Sequence, residues 1–171
     1  AFGDPAITAE RIAYAIATYE RTLVPNQTPW DAFVAGNGAA LTPQQAQGWN
    51  TLQASPCLVC HTPPLFTNNT FQNLGLRPVP EDRGRQITTG VLADRGRFKV
   101  PTLRNVGLKR TFMHNGQFTT LPQVIAFYAN GAAQFPDNKS PILPVGLPPP
   151  PVPNVVNFLQ NGLTDPRVAA E

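Results

Sequence analysis

The segment CLVCH contains Cys57, Cys60 and His61, so that two thiols three positions apart are followed at once by an imidazole. Such a group can serve a zinc site, a dithiol redox centre or a haem attached through two thioether bonds. The chain has 2 Cys and 2 His, the second His being His114. All three kinds of chemistry would therefore depend on this one segment.

Zinc and dithiol redox chemistry are both disfavoured. A closed zinc site takes four ligands and would use every Cys and His of the chain, including the neighbours Cys60 and His61, whose side chains point in different directions. A thioredoxin-like centre has its first Cys at the start of a helix within a βαβ unit. Here a helix is predicted before the motif, and Pro63 and Pro64 follow it.

Covalent haem attachment is the chemistry of which C-x-x-C-H is typical. The spacing lets Cys57 and Cys60 reach the two vinyl groups on one porphyrin edge and makes His61 the proximal iron ligand. The chain has 20 Pro and only 13% charged residues, which predicts extensive loops that a large rigid cofactor would organise. We therefore predict one covalent haem c.

The second axial ligand of the iron is left open by the spacing. Tyr, Met and His side chains and water can all occupy that position. Chemistry alone favours Met113, the single Met of the chain, because His–Met ligation raises the potential and suits electron transfer. The other candidate side chains are His114, Tyr14, Tyr19 and Tyr128.

Four helices are predicted around this site. The first runs from about Thr8 to Leu23, and capping boxes at Thr42 and Thr120 begin the second and third. The fourth spans roughly Asn154 to Asn161. We expect the apolar faces of all four helices to pack in the core.

The remaining segments are predicted to be irregular. The long stretch between the second and third helices lacks any sustained period, and a loop of that length is expected to serve a site. Residues 141–153 contain seven Pro and predict a stiff extended arm.

Composition limits the remaining function classes. The formal net charge is +3 and the basic residues form no contiguous run, which disfavours nucleic-acid binding. No apolar run approaches the ~20 residues of a membrane span. A chain of 171 residues suits one domain, and because it begins at Ala1 without a Met or a signal peptide we expect a mature or excised piece.

The segment FKVPTLRNVGLKRTFMHNGQFTTLPQVIAFYANG, residues 98–131, closely resembles the C-terminal haem domain of bacterial di-haem cytochrome c peroxidases. The wider family includes the methylamine-utilisation di-haem enzymes. AYAIATYERTLVPNQTPWDAF, CLVCHTPPLFTNNTFQNLG and SPILPVGLPPPPVPNVVNFLQNGLTD also look like that domain, so the resemblance covers nearly the whole chain. It implies an all-α, cytochrome c-like haem domain over residues 1–171, with the second C-x-x-C-H of a di-haem protein missing.

The resemblance changes the preferred axial ligand. In those peroxidases this ligand is a Met fourteen residues beyond the His of a His-Asp/Asn-Gly turn, and the matching position counted from His114 is Tyr128. The position of Met113 is commonly Phe in them. A Tyr ligand resembles the methylamine-utilisation branch, where an anionic oxygen helps stabilise highly oxidised iron. Tyr128 is therefore preferred, with Met113 or His114 as alternatives.

Two further sets of contacts are expected. The resemblance implies calcium bound partly by the backbone carbonyls of Lys109 and Thr111, although KRT here replaces the family's TAP and places two cations near that site, which calcium disfavours. The loop expected to skirt the haem edge carries candidates to pair with the haem propionates: Arg95, Lys99 and Arg104.

The resemblance implies the electron-transfer half of a peroxidase-type oxidoreductase. Such a domain relays electrons between an external redox protein and a second haem domain, and the isolated chain is not expected to be catalytic. Thioether attachment implies the periplasm. Two alternatives remain: a stand-alone mono-haem electron carrier with His–Met ligation, and a docking module whose haem is vestigial.

Overall fold

Most of the regular structure is helical in the computed structural model, which describes residues 2–131, 134–142 and 152–168. The described α-helices are α1 (Ala9–Glu20), α2 (Pro29–Val34), α3 (Pro43–Gln53), α4 (Cys57–Cys60), α5 (Gln86–Thr89), α6 (Leu121–Ala129) and α7 (Val152–Asn157). Short 3-10 turns lie at Arg21–Leu23, Leu92–Asp94 and Val106–Leu108, and a π-helical turn, Phe158–Gly162, continues α7.

The described residues contain two short strands. β1 (Phe71–Gln72) and β2 (Phe98–Lys99) pair antiparallel, with Phe71 opposite Lys99. The all-α, cytochrome c-like fold class is confirmed. Most of the predicted proline-rich arm, residues 143–151, lies outside the described residues.

Capping boxes set the starts of three helices. The Thr42 hydroxyl accepts from the backbone N–H of Gln45, while the Gln45 side chain accepts from the N–H of Thr42. The same reciprocal pattern joins Thr120 and Gln123 at the start of α6. Both predicted helix starts are therefore confirmed. A third box begins α2, a helix that the sequence prediction omitted although its capping residues follow the same rule.

The core is built around a cluster of aromatic side chains. The ring of Trp30 lies 4.8 Å from that of Phe66 and 5.5 Å from that of Trp49, edge to face, and Trp49 lies 5.5 Å from Phe158. α3 and α7 pack closely across this cluster. The other buried apolar residues of the core are Leu41, Leu52, Val106, Phe112, Leu121, Ile125, Val155, Leu159 and Leu163.

The first helix departs from expectation. α1 forms as predicted and is capped by Thr8, but none of its residues is buried. Ile12, Ile16 and Tyr19 are each more than half exposed, so the expectation that this apolar face packs in the core is wrong. The periodicity shows that a face is apolar, but it does not show that the same chain covers it.

Across the three described ranges, no helix combines the length and apolarity that a transmembrane span requires.

Candidate haem-binding site

A cavity of about 370 Å³ lies beside the C-x-x-C-H motif. Cys57, Cys60 and His61 line it together with Tyr128 from α6. Apolar side chains from α3, α6 and the turns beside them make up most of the remaining wall, including Leu52, Val106, Leu121, Ile125 and Leu159. The fold therefore gathers the motif and the preferred axial ligand around one apolar space.

The two cysteines are free thiols on a single helical turn. α4 runs from Cys57 to Cys60, and the backbone N–H of His61 donates to the Cys57 carbonyl at 2.9 Å. Burial raises the pKa of both thiols, and the charge of Cys57 raises that of Cys60 further. A reactive redox cysteine requires a lowered pKa. The electrostatics thus disfavour dithiol redox chemistry.

His61 presents one particular nitrogen to the cavity. Its Nδ1 lies 3.1 Å from the carbonyl oxygen of Phe66 and 3.1 Å from that of Pro101. Two carbonyl acceptors require Nδ1 to carry the proton, which leaves the lone pair on Nε2. Burial lowers the pKa of His61, and the two carbonyl bonds oppose this only in part. A neutral imidazole with a free Nε2 is the form that binds haem iron.

Tyr128 lies on another wall of the cavity. Burial raises the pKa of its phenol well above the ordinary value, and the nearby Cys57 and Cys60 sulfurs raise it further. Its hydroxyl makes no hydrogen bond with any residue that the structure describes. Tyr128 is only partly buried, so its hydroxyl is accessible from the cavity, and a cation bound there would favour the phenolate.

The two alternative axial ligands also line the cavity. Met113 occupies a turn with a φ of 66°. The His114 ring stacks on Phe98 with its centroid 3.6 Å away, and its Nε2 lies 2.8 Å from a carboxylate oxygen of Asp82. One nitrogen of His114 is therefore already engaged.

The structure brings only one of the three propionate candidates to the cavity. Lys99 lines it, and its Nζ donates to the Val100 carbonyl at 3.2 Å. Arg95 instead pairs with Asp137 at 2.8 Å. Arg104 is buried, and its guanidinium is committed to protein acceptors away from the cavity lining.

Two further cationic residues at the cavity were not among the predicted propionate contacts. Arg77 and Lys109 both line it. Lys109 was predicted to contribute only its backbone carbonyl, because no local sequence pattern shows which long cationic side chain lies at a cofactor.

Among the described residues, no group of carboxylates supports the predicted calcium site. Lys109 and Thr111 both line the cavity. The part of the chain that the structure describes contains no cluster of three or more His, Cys, Asp or Glu that could hold a metal ion.

The residues present fit a covalently attached haem. Two thiols three positions apart adjoin an imidazole with a free Nε2. A phenol without a hydrogen-bond partner among the described residues, an apolar wall and cations for the propionates complete the set. The donor set and the apolar lining are what a c-type haem requires.

Comparisons with known proteins agree with the c-type haem that the site indicates. No protein-family model matches the chain. It is 33% identical over 168 residues to a cytochrome c551 peroxidase of Nitrosomonas europaea, covering 84% of this chain and 50% of that protein. It is 34% identical over 137 residues to the methylamine utilization protein MauG of Methylophilus methylotrophus, covering 78% of this chain and 41% of that protein.

A solved structure shows the same fold. The crystal structure of a MauG-like protein associated with microbial copper homeostasis superposes with a TM-score of 0.76 at 25% identity, covering 94% of this chain and 58% of that one. The chain thus spans about half the length of the curated relatives it matches.

Proposed function

The chain belongs to the family of bacterial di-haem cytochrome c peroxidases and MauG proteins, and we propose that it is a haem domain that relays electrons between an external redox protein and a second haem domain. The observation that carries the proposal is the meeting of Cys57, Cys60, His61 and Tyr128 at one apolar cavity. The need for a second haem domain is supported by the single C-x-x-C-H in a chain that matches about half of its relatives' length.

Each residue of the motif would have a distinct role. The Cys57 and Cys60 thiols would hold the haem through thioethers, and His61 Nε2 would bind its iron. The carbonyls of Phe66 and Pro101 fix the orientation of the His61 ring. When bound, the haem supplies one-electron iron chemistry. One motif supports one haem c.

Tyr128 is the second axial ligand in this proposal. Its phenol faces the same cavity and lacks a hydrogen-bond partner among the described residues, whereas His114 is held by Asp82. An anionic oxygen ligand would favour the oxidised state of iron. The Met113 thioether makes no such bond among the described residues. Met113 is therefore the ligand in the alternative proposal, a stand-alone carrier with His–Met ligation.

The charged groups at the cavity have a binding role. Lys99 and Lys109 would pair with the propionates, because both line the cavity and form no ion pair among the described residues, whereas Arg77 already pairs with Glu81 at 2.6 Å. Calcium at the carbonyls of Lys109 and Thr111 is not part of the proposal, since cations beside those carbonyls oppose it. The proposed location is the periplasm, where thioether attachment is completed.

The test is to produce the chain with a c-type haem maturation system and measure its mass after denaturation. The expected mass is that of the polypeptide plus one haem, and a Cys57→Ser/Cys60→Ser variant should show bare polypeptide. The loaded chain should then accept and release one electron reversibly in a redox titration. With peroxide and a reduced donor it should turn over negligibly.

Two results would overturn the proposal. Bare polypeptide from the unmutated chain would exclude covalent haem. Robust peroxide turnover by the isolated chain would show that it is an enzyme by itself rather than a relay domain.

A further inference from the structure

Three large apolar side chains stand exposed together on one small part of the surface. Ile87, Val91 and Leu92 are 67%, 52% and 66% exposed, and they lie within six positions on α5 and the turn that follows it. We call residues 83–97 the 83–97 surface. Apolar side chains grouped in this way commonly mark an interaction site.

The 83–97 surface lies in the most basic part of the chain. Residues 77–110 contain nine Lys or Arg and three Asp or Glu, a net charge of +6, against +3 for the whole chain. The three acidic residues are all paired: Glu81 with Arg77, Asp82 with His114, and Asp94 with Arg85.

Several of the cations have no carboxylate partner. Within the described residues, Arg83 and Arg97 of this surface form no ion pair. The apolar group is therefore bordered by uncompensated positive charge, which would attract a negatively charged protein.

The backbone of the 83–97 surface is held in place by its own contacts. The Arg85 N–H donates to the Arg97 carbonyl at 2.8 Å, and the Gly96 N–H donates to the Arg83 carbonyl at 2.9 Å. The Arg85 guanidinium also lies 3.9 Å from the centre of the Phe71 ring. A preorganised surface loses little conformational entropy when a partner binds.

The same surface adjoins the haem-binding cavity. A shallow groove lined by Arg85, Arg97, Phe98 and Lys99 shares Phe98 and Lys99 with the cavity. The Phe98 ring in turn stacks on His114, another residue of the cavity wall. A protein seated on the 83–97 surface would therefore lie beside the part of the cavity wall that Phe98 and Lys99 form.

We propose that the 83–97 surface is the docking site for an acidic redox protein that exchanges electrons with this domain. The inference rests on the proposed relay function and names the surface and partner class through which it operates. An apolar centre with a charged rim is the usual anatomy of a protein interface. The positively charged rim would raise the association rate with an acidic partner and would disfavour binding of basic proteins.

The redox step transfers one electron and no atoms. The ferrous iron of the reduced donor would be oxidised to ferric, and the ferric haem that Cys57, Cys60 and His61 would hold would be reduced to ferrous. No proton or bond is exchanged.

The test compares two donors with the haem-loaded chain in stopped-flow experiments. The probes are an acidic and a basic mono-haem cytochrome c of similar size and potential, each added at low and high ionic strength. We expect the acidic donor to react at least about tenfold faster at low salt, with the advantage falling as salt screens the charges. Calorimetric titration of the oxidised proteins measures binding without electron transfer.

Matched variants assign the effect to this surface. Arg83→Glu/Arg97→Glu should remove the advantage of the acidic donor. The control Arg11→Glu/Arg21→Glu makes the same change in net charge on α1 and the 3-10 turn that follows it. Ile87→Ser/Leu92→Ser should weaken calorimetric binding at both salt concentrations. Unchanged visible spectra and melting temperatures show that the variants remain folded.

The outcomes separate the two proposals. Failure of dithionite to reduce the haem reversibly would overturn the relay function itself. Reversible reduction by dithionite, together with equal rates for both donors or equal effects of the two double-charge variants, would overturn the docking site and leave the relay function standing.

Discussion

Arg104 and Asp31 lie 73 positions apart in the sequence and form a bidentate ion pair in the protein interior. Arg104 Nη2 lies 2.7 Å from Asp31 Oδ1, and Nη1 lies 2.8 Å from Oδ2. Arg104 also donates to the carbonyls of Pro25 and Pro64, at 2.6 and 2.8 Å. The guanidinium therefore joins α2, the segment before it and the loop that follows the C-x-x-C-H motif.

Replacing Arg104 by Gln should destabilise the protein strongly. The change leaves two carbonyls without their donor and leaves the Asp31 carboxylate with Thr28 as its remaining donor. Removing one member of a buried pair costs about 3 kcal/mol or more. Urea unfolding of the haem-loaded chain measures the loss. The matched control is Arg95→Gln, whose pair with Asp137 lies at the surface and should contribute little. Equal losses in the two variants would show that Arg104 has no special structural role.

A second buried carboxylate predicts a dependence of stability on pH. The Asp165 side chain is fully buried and accepts from Arg167 Nη2 at 2.6 Å and from the Gln27 N–H at 3.0 Å. The Arg167 bonds lower the pKa of Asp165, outweighing the opposite effect of burial, and the Gln27 bond lowers it further. The folded state therefore binds a proton less readily than the unfolded state does, so that the carboxylate stabilises the fold above its ordinary pKa of 3.8.

Asp165→Asn should lower the unfolding free energy at neutral pH by about 2 kcal/mol, the scale of a hydrogen bond to a charged group. The difference from the unmutated protein should shrink as the pH falls from about 5 to about 2, since the native advantage is lost when Asp165 becomes protonated. Thermal melting over that range checks both statements. Asp137→Asn, at an exposed pair, provides the control. A difference independent of pH would mean that the effect is steric.

The haem motif could be predicted from the sequence because its geometry is local. Cys57, Cys60 and His61 lie within one helical turn, so that their spacing alone determines their arrangement. Tyr128 was predicted as an axial ligand only through the resemblance to a family. A residue so far along the chain reaches the cavity through the packing of α6, which spacing does not show. The ion-pair partners of Arg104 and Arg95 could not be predicted for the same reason: both depend on tertiary contacts.

The close packing of α3 against α7 makes Gly48 sensitive to substitution. A methyl group on Gly48 would lie 2.6 Å from the carbonyl carbon of Asn154 and 2.9 Å from the Cβ of Phe158. Because backbone cannot yield as a flexible side chain can, Gly48→Ala should cost about 1–3 kcal/mol, measured by urea unfolding. Gly38→Ala is the control, because a methyl group there would meet nothing within 4 Å. A neutral Gly48→Ala would show that α3 and α7 can separate freely.

The exposed face of α1 should contribute little to the stability of this chain. Ile12 and Ile16 are 51% and 54% exposed, so Ile12→Ser/Ile16→Ser should change the unfolding free energy by no more than about 0.5 kcal/mol per site. Leu163→Ala, at a fully buried side chain, should cost about 2–5 kcal/mol. Urea unfolding of the isolated chain compares them. A large loss in the α1 variant would mean that this face packs within the domain.

The second axial ligand can be tested by two conservative substitutions at the cavity. Tyr128→Phe keeps the ring beside Phe127 but removes the phenol oxygen, and Met113→Leu removes the thioether at similar volume. If Tyr128 is the ligand, its loss removes an anionic oxygen that favours oxidised iron. The midpoint potential should then rise by at least about 60 mV, a tenfold change in a one-electron equilibrium, and the ferric visible spectrum should change. Met113→Leu should leave both unaltered. A shift in Met113→Leu with none in Tyr128→Phe would instead identify the His–Met carrier, and no change in either variant would exclude both side chains as ligands.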